Sequence, residues 1–491
     1  MLGRKTYLSL LSLLFTRLVQ GIILLVAVNR FFKIDFGFFG VAQSLLAFLL
    51  FFSDLNLSTA HLKLMAEEKD KNIAFSTYFY LKIGLLIVSS IAFIFVIMFS
   101  LNFNLVSNNP EQVLIIVVVF LDRLLVSFLM VYVYSFQATF QIAKKEVATI
   151  IGQIIGFVFG LISILVLHNF ILYILNTTIS NLFTLSLYVY FGRGFKLTKI
   201  RKDLMMTYLK LNMIFILPFF LNVITTNLGP LIFIHFYNED LLGVFNIIAS
   251  FFLMIQGIIQ VFRSLLIPSF SILIQNNKLN EIQTSTNLFE KYTAILTGVI
   301  IVLGITFGDY VLKILNIQIY FESSLLLYFG YLISLISFSL TGPYTPLIIA
   351  SVKFKVYTIS LFIPFFFAIL SWIFFIPPLN ILGINLGVWI SIVPQSIYIR
   401  YYCFKYFKTG NMHFKYGLNL GIIFIMICTS FFIFSLQLHI AIRAIIDLGI
   451  LASYLGFLIF TKLLTKSDFK YLKSVVNPKE MLNYIKNETI D

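Results

Sequence analysis

The chain has 491 residues, 60% hydrophobic and 17% aromatic, with only 11% charged and a formal net charge of +15. Soluble proteins carry about 25% charged residues, so this composition excludes an ordinary water-soluble globule and makes the bilayer the solvent. The apolar runs fill almost the whole length and leave no room for a separate soluble domain.

A helix crossing ~30 Å of hydrocarbon needs about 20 mostly apolar residues. This ruler predicts an all-α polytopic membrane protein with about fourteen spans: residues 7–28, 36–59, 77–105, 113–137, 147–167, 170–191, 209–236, 242–267, 292–315, 323–350, 356–376, 381–403, 416–436 and 440–464. The narrowest separations, at His168/Asn169 and Leu438/His439, suit the tight turn of a helical hairpin. The first apolar run has the length of a span and no small-residue cleavage site after it, so it reads as retained.

With the N-terminus inside, 27 of the 35 Lys and Arg fall in inner segments and four outside (Arg30, Lys33, Lys313, Arg443). The last four lie deeper within spans than any cation near a span end: Arg17, Lys82, Arg123 and Arg263. A bias this steep on short loops predicts that both termini are cytoplasmic. The net charge is therefore mostly topology and calls for no nucleic acid, leaving anionic membrane lipid as its electrostatic partner. Cys403 and Cys428 supply no disulfide framework.

Two short stretches recur at an offset of about 206 residues: Asp35-Phe36-Gly37-Phe38-Phe39-Gly40 with Asp240-Leu241-Leu242-Gly243-Val244-Phe245, and the segment at 143–147 with that at 352–356. Repeats of this kind mark transporters. They predict two pseudo-symmetric six-helix lobes around a cavity, residues 1–192 and 207–403, joined by a basic cytoplasmic connector at 193–206. Two C-terminal helices (404–464) and a cytoplasmic tail (465–491) follow.

Ionisable groups are costly in hydrocarbon, about 2.5 to 3.5 kcal/mol even on the mildest scale, so polar residues inside spans are site candidates. Ser9, Ser12, Thr16 and Gln20 share one face of the first span, with Arg17 beside them too deep to reach the interface. At the repeat offset Arg17 maps to a seventh span with Asn222, Thr225, Thr226 and Asn227 between Pro218 and Pro230, a segment expected to bend. Asp122, Arg123 and Ser127 lie in the fourth span, with Arg263 and Asp54 toward the inner ends of the eighth and second. Ser and Thr ladders can equally satisfy themselves on their own helix, and Asp122 and Arg123 can serve a structural ion pair as readily as a ligand. Gly152, Gly156 and Gly160 read as a packing seam, and Lys82 as a residue that snorkels to the inner surface.

The stretch from Phe36-Gly37-Phe38-Phe39-Gly40 through Ser53-Asp54-Leu55-Asn56-Leu57-Ser58-Thr59-Ala60, with Phe136-Gln137-Ala138-Thr139 and Gly243-Val244-Phe245 through Pro268, resembles the polysaccharide-biosynthesis flippases of the multidrug/oligosaccharidyl-lipid/polysaccharide exporter superfamily. Asn56 stands where that family commonly has glycine. The resemblance implies a Wzx-type protein of a bacterial inner membrane, moving a polyprenyl-pyrophosphate-linked oligosaccharide to the outer leaflet, with membrane lipids and other polysaccharide-assembly proteins as partners. On that reading Arg17, Arg123, Arg263, Gln20, Asn222 and Thr226 bind substrate, while Asp122 and Asp54 serve coupling or gating. Guanidinium forks suit a pyrophosphate, and the deep charges sum to about plus one, whereas a cation exporter favours the opposite sign. The alternatives are a multidrug cation antiporter, a lipid II flippase and, further off, a membrane-bound polymerase. An enzyme is not expected, because no nucleophile motif, phosphate-binding glycine loop or metal-ligand cluster is present and the outer segments are only about seven residues long. No cofactor or metal is expected, and coupling to H+ or Na+ stays open.

Overall fold

The computed structural model describes residues 2–68, 70–102, 110–237, 239–314, 321–351, 353–409, 414–435 and 440–465. They form α1 (Leu2–Val28), α2 (Lys33–Asp54), α3 (Leu57–Glu67), α4 (Lys71–Asn102), α5 (Pro110–Ala138), α6 (Ile142–Leu165), α7 (Phe170–Phe191), α8 (Lys202–Phe236), α9 (Glu239–Gln275), α10 (Leu279–Ile314), α11 (Phe321–Thr341), α12 (Tyr344–Ala350), α13 (Phe354–Leu379), α14 (Ile381–Phe407), α15 (Phe414–Ser435) and α16 (Ile440–Phe460). No strand occurs among the described residues. Among the described residues ten helices are long and apolar enough to cross a membrane, eleven when α11 and α12 count as one bent span. Their apolar residues are not all turned inward. On α4, Ile87, Ile91, Ile94 and Met98 recur every three or four residues and are all exposed, which is the stripe a lipid-facing helix presents.

Two spans expected to be continuous are broken. The second divides at Leu55 and Asn56, whose φ angles of 45° and 63° lie in the left-handed region. Asparagine tolerates this conformation better than other side-chain-bearing residues, which suits Asn56 to the break. The tenth divides at Gly342-Pro343 with a bend of 48° between α11 and α12, where proline cannot donate to the preceding turn.

The described residues fall into two compact units, one running through residue 246 and the other starting at residue 247. The first holds α1 to α8 with the start of α9, and the second the rest of α9 with α10 to α16. Helix pairing repeats between them: α6 packs along α7 and α5 against α7 in the first, as α13 packs along α14 and α11 against α14 in the second.

The α6/α7 seam shows how close the approach is. A Cβ on Gly152 would lie 2.0 Å from Thr184 Oγ1 and 2.7 Å from the Ser180 carbonyl, and one on Gly156 would lie 2.9 Å from the Asn176 carbonyl. Small residues on α6 thus admit Asn176, Ser180 and Thr184 of α7, each four residues from the next. In the second unit, Trp372 of α13 lies across Gly387 and donates to the Ile384 carbonyl at 3.1 Å. The last two helices dock on α10: Asn419 donates to the Ala294 carbonyl at 3.2 Å and accepts from Tyr454 at 3.1 Å.

Candidate functional site

The polar face of α1 is where the sequence places it. Ser9 donates to Glu146 at 2.7 Å, tying α1 to the first turn of α6, and Glu146 also pairs with Lys145 at 2.8 Å. Two turns further along α1, Arg17 is half-buried and donates through Nη1 to Gln20 at 3.2 Å. That uses one N–H of the guanidinium fork. Among the described residues no other partner meets it. The neighbouring Thr16 hydroxyl is buried without a hydrogen-bond partner.

On α5, Asp122 is buried and accepts from Asn181 of α7 at 2.9 Å, which makes it part of a helix-helix contact. Its neighbour Arg123 has a buried Nε with no hydrogen-bond partner among the described residues. The two arginines are not joined to each other. Arg17 rides on α1 and Arg123 on α5; both helices pack on α6, and α5 also packs on α2, α3, α4 and α7.

Asp54 ends α2 at the break before α3. It forms an ion pair with Lys82 of α4 and accepts from Ser58 at 2.6 Å, while Ser58 shares a 2.9 Å hydrogen bond with Tyr78. Lys82 is fully buried and does not snorkel, because Asp54 meets it inside the packing where the helix break would otherwise leave a lone carboxylate. An uncompensated buried charge is strongly unfavourable.

The expected seventh span is α8, with Pro218 and Pro230 inside a helix that runs unbroken to Phe236. Thr225, Thr226 and Asn227 donate to the carbonyls of Leu221, Asn222 and Val223 at 2.7, 2.9 and 2.9 Å. Their donors thus go to their own helix, the alternative that such ladders always offer. The exposed Asn222 amide has no partner among the described residues. Arg263 lies on α9 with its side chain outside the described residues.

Two buried networks were not singled out from the sequence. In the second unit, Arg400 of α14 pairs with Glu290 of α10 at 2.5 Å and donates to the Leu340 carbonyl at 2.9 Å, and Tyr344 of α12 donates to Glu290 at 2.8 Å. The charge bias had set Arg400 among the inner segments, yet it is enclosed by three helices. In the first unit, His61 of α3 is fully buried past the end of the second span. Its ring shares hydrogen bonds with Tyr208 at 2.8 Å and Ser135 at 2.9 Å and stacks on Tyr78 at 4.0 Å. Burial pushes the imidazole down to about 3, so it is neutral at physiological pH. Among the described residues no group of three His, Cys, Asp or Glu is placed to hold a metal ion.

A family model described as polysaccharide biosynthesis protein matches residues 2–274, more than half of the chain. A comparison with curated proteins finds no match. Among solved structures, the lipid II flippase MurJ in an inward closed conformation aligns with a TM-score of 0.66 at 16% identity, over 92% of this chain and 98% of that one. A MATE multidrug transporter, DinF-BH, gives 0.67 at 12% identity over 84% and 96%. A MOP-superfamily transporter from Pyrococcus furiosus gives 0.60 at 11% identity over 84% and 97%. At these identities the likeness is one of fold alone. The family match over the first 274 residues and this fold together make the chain a member of the polysaccharide biosynthesis protein family.

Proposed function

We propose that the protein is a flippase for a polyprenyl-pyrophosphate-linked oligosaccharide, moving it from the cytoplasmic to the outer leaflet of a bacterial inner membrane by alternating access. The observation that carries this reading is the state of the two deep arginines: Arg17 has committed one N–H, to Gln20, and Arg123 keeps a buried Nε unpartnered. A guanidinium in an apolar surround gains most from a bidentate, charge-assisted acceptor, and a pyrophosphate supplies one. Gln20, Asn222 and Thr226 complete the substrate contacts, and Arg263 takes the headgroup near the inner surface. Asp122 and Asp54 are the carboxylates assigned to coupling or gating, with H+ or Na+ as the coupled ion. Other polysaccharide-assembly proteins would supply and consume the cargo.

The test is transport of a polyprenyl-pyrophosphate-linked oligosaccharide in proteoliposomes. Losing one charge-assisted contact typically costs ~1.5 to 3 kcal/mol, so Arg17→Ala should slow transport by about one to two orders of magnitude where binding limits the rate. Arg17→Lys should restore part of it, since a point charge lacks the fork. A well-folded Arg17→Ala protein transporting at the wild-type rate would remove the assignment.

A further inference from the structure

A cleft of about 820 Å³ opens between the α3–α4 turn, the α5–α6 turn and the exit of α7, away from the deep arginines. Its polar lining includes Asp70, Lys71, Asn72, Gln141, Lys144 and Arg193. The volume is that of an ordinary small-ligand site, and the charge bias assigns this face to the cytoplasm.

The cleft is held open by fixed structure. Phe195, just past α7, stacks on Phe75 at 5.1 Å and meets Phe136 at 5.6 Å. The following backbone is tied to α4: Lys196 donates to the Asn72 side chain at 3.0 Å and Thr198 to the Ser76 hydroxyl at 2.7 Å. Gly192 lets the chain turn here, since a Cβ would meet the Tyr188 carbonyl at 2.7 Å and the Tyr132 ring at 3.0 Å.

The polar groups divide into those already used and those left over. Lys71 donates to the carbonyls of Met65 and Glu68, both at 2.7 Å, and Asp70 accepts from the Asn72 backbone at 2.9 Å. Among the described residues the side chains of Lys144 and Gln141 have no hydrogen-bond partner, and the Arg193 guanidinium meets only the Tyr190 ring, at 4.3 Å. Three cations face one carboxylate, and the N-terminal ends of α4 and α6, which carry the positive pole of the helix dipole, begin at the cleft. What is missing is an anion with several acceptor oxygens.

We infer that this cleft binds the net-anionic phosphate group of a ligand at the inner membrane surface, with Lys144, Arg193 and Gln141 as its donors. Basic pockets between spans on the cytoplasmic side hold lipid headgroups by this chemistry. A phosphate of the same charge can also arrive on a soluble molecule, and the experiment separates the two sources. The inference does not depend on Arg17 or on what is transported.

The full chain, carrying Lys144→Gln, Arg193→Gln or both, is placed in nanodiscs of phosphatidylcholine doped with phosphatidylglycerol, and retained lipid is counted by native mass spectrometry. Inorganic pyrophosphate is titrated in a parallel series. Lys199→Gln, on the connector outside the cleft, is the charge control, and each variant's melting temperature checks its folding. Retention of phosphatidylglycerol that falls about fivefold per charge removed, with no effect of Lys199→Gln, supports a lipid headgroup. Saturable pyrophosphate binding with the same pattern supports a soluble phosphate. Wild-type protein that prefers neither anion, or a folded double variant that binds as wild type does, overturns the proposal. Arg193→Lys, which keeps the charge, should retain most of the binding and separates loss of charge from loss of local structure.

Discussion

At His61 the surroundings set the protonation state. The ring is enclosed by Tyr78, Tyr208 and Ser135, and its folded pKa of about 3 lies below the ordinary value near 6.5. Between those two pH values the unfolded chain binds a proton that the folded one refuses, so stability rises with pH there and falls as pH drops below ~6.5. At pH 5 the deficit is roughly 2 kcal/mol. The melting temperature in detergent should therefore fall between pH 7 and pH 5, and His61→Gln should flatten that dependence while lowering stability at pH 7. An unchanged pH profile in His61→Gln would show that the ring titrates freely. This residue also marks what the sequence can tell. Arg17 meets a partner three positions away on its own helix, so its environment follows from helical periodicity. His61 depends on Tyr208, 147 residues on, and Arg400 on Glu290, 110 residues back. Nothing in their local pattern names those partners, so His61 reads as one of several scattered histidines and Arg400 as one of the inner-segment charges.

Among the helices, the α6/α7 seam gives a graded test within one motif. A methyl on Gly152 or Gly156 would press on carbonyl oxygens of α7, at 2.7 and 2.9 Å, whereas on Gly160 its nearest neighbours are side-chain atoms at 3.2 and 3.3 Å. Gly152→Ala and Gly156→Ala should each lose about 1 to 3 kcal/mol through overpacking, and Gly160→Ala much less. Gly84→Ala, with open space around the new methyl, should be neutral or slightly stabilising through helix propensity. Thermal unfolding of the four proteins in one detergent checks the order, and equal losses at all four sites would refute the seam. The helices themselves were legible because length and apolarity decide them. The breaks were not, since Leu55-Asn56 and Gly342-Pro343 sit inside runs apolar enough to pass as single spans. Asn56 carried the one hint, as a residue suited to φ > 0.

For the molecule as a whole, the charge bias predicts an orientation that labelling can check. After replacing Cys403 and Cys428 with serine, a cysteine at Arg30, exposed in the α1–α2 turn, should react with an impermeant maleimide added to intact cells. One at Lys199, on the connector, should react only after the membrane is opened. The opposite result at both positions would invert the topology. Helix pairing in the first unit recurs in the second, while the units divide at residue 246 and not at the connector expected at 193–206. The candidate binding residues, by contrast, lie almost entirely in the first unit, and Arg263 alone comes from the second.

The α6/α7 hairpin bears on how such a chain enters a membrane as it is made. Its turn spans only a few residues at His168 and Asn169, where Asn169 caps α7 by accepting from Leu172 at 3.0 Å. Gln153 donates to Ser180 at 2.9 Å, and Thr149 shares a 2.8 Å hydrogen bond with the Tyr188 hydroxyl. These polar side chains thus find partners within two consecutive helices. A single helix released into lipid with those groups bare would be penalised for each of them, whereas the paired hairpin carries its own hydrogen bonds. The two helices can therefore leave the insertion machinery together, before the second half of the protein exists.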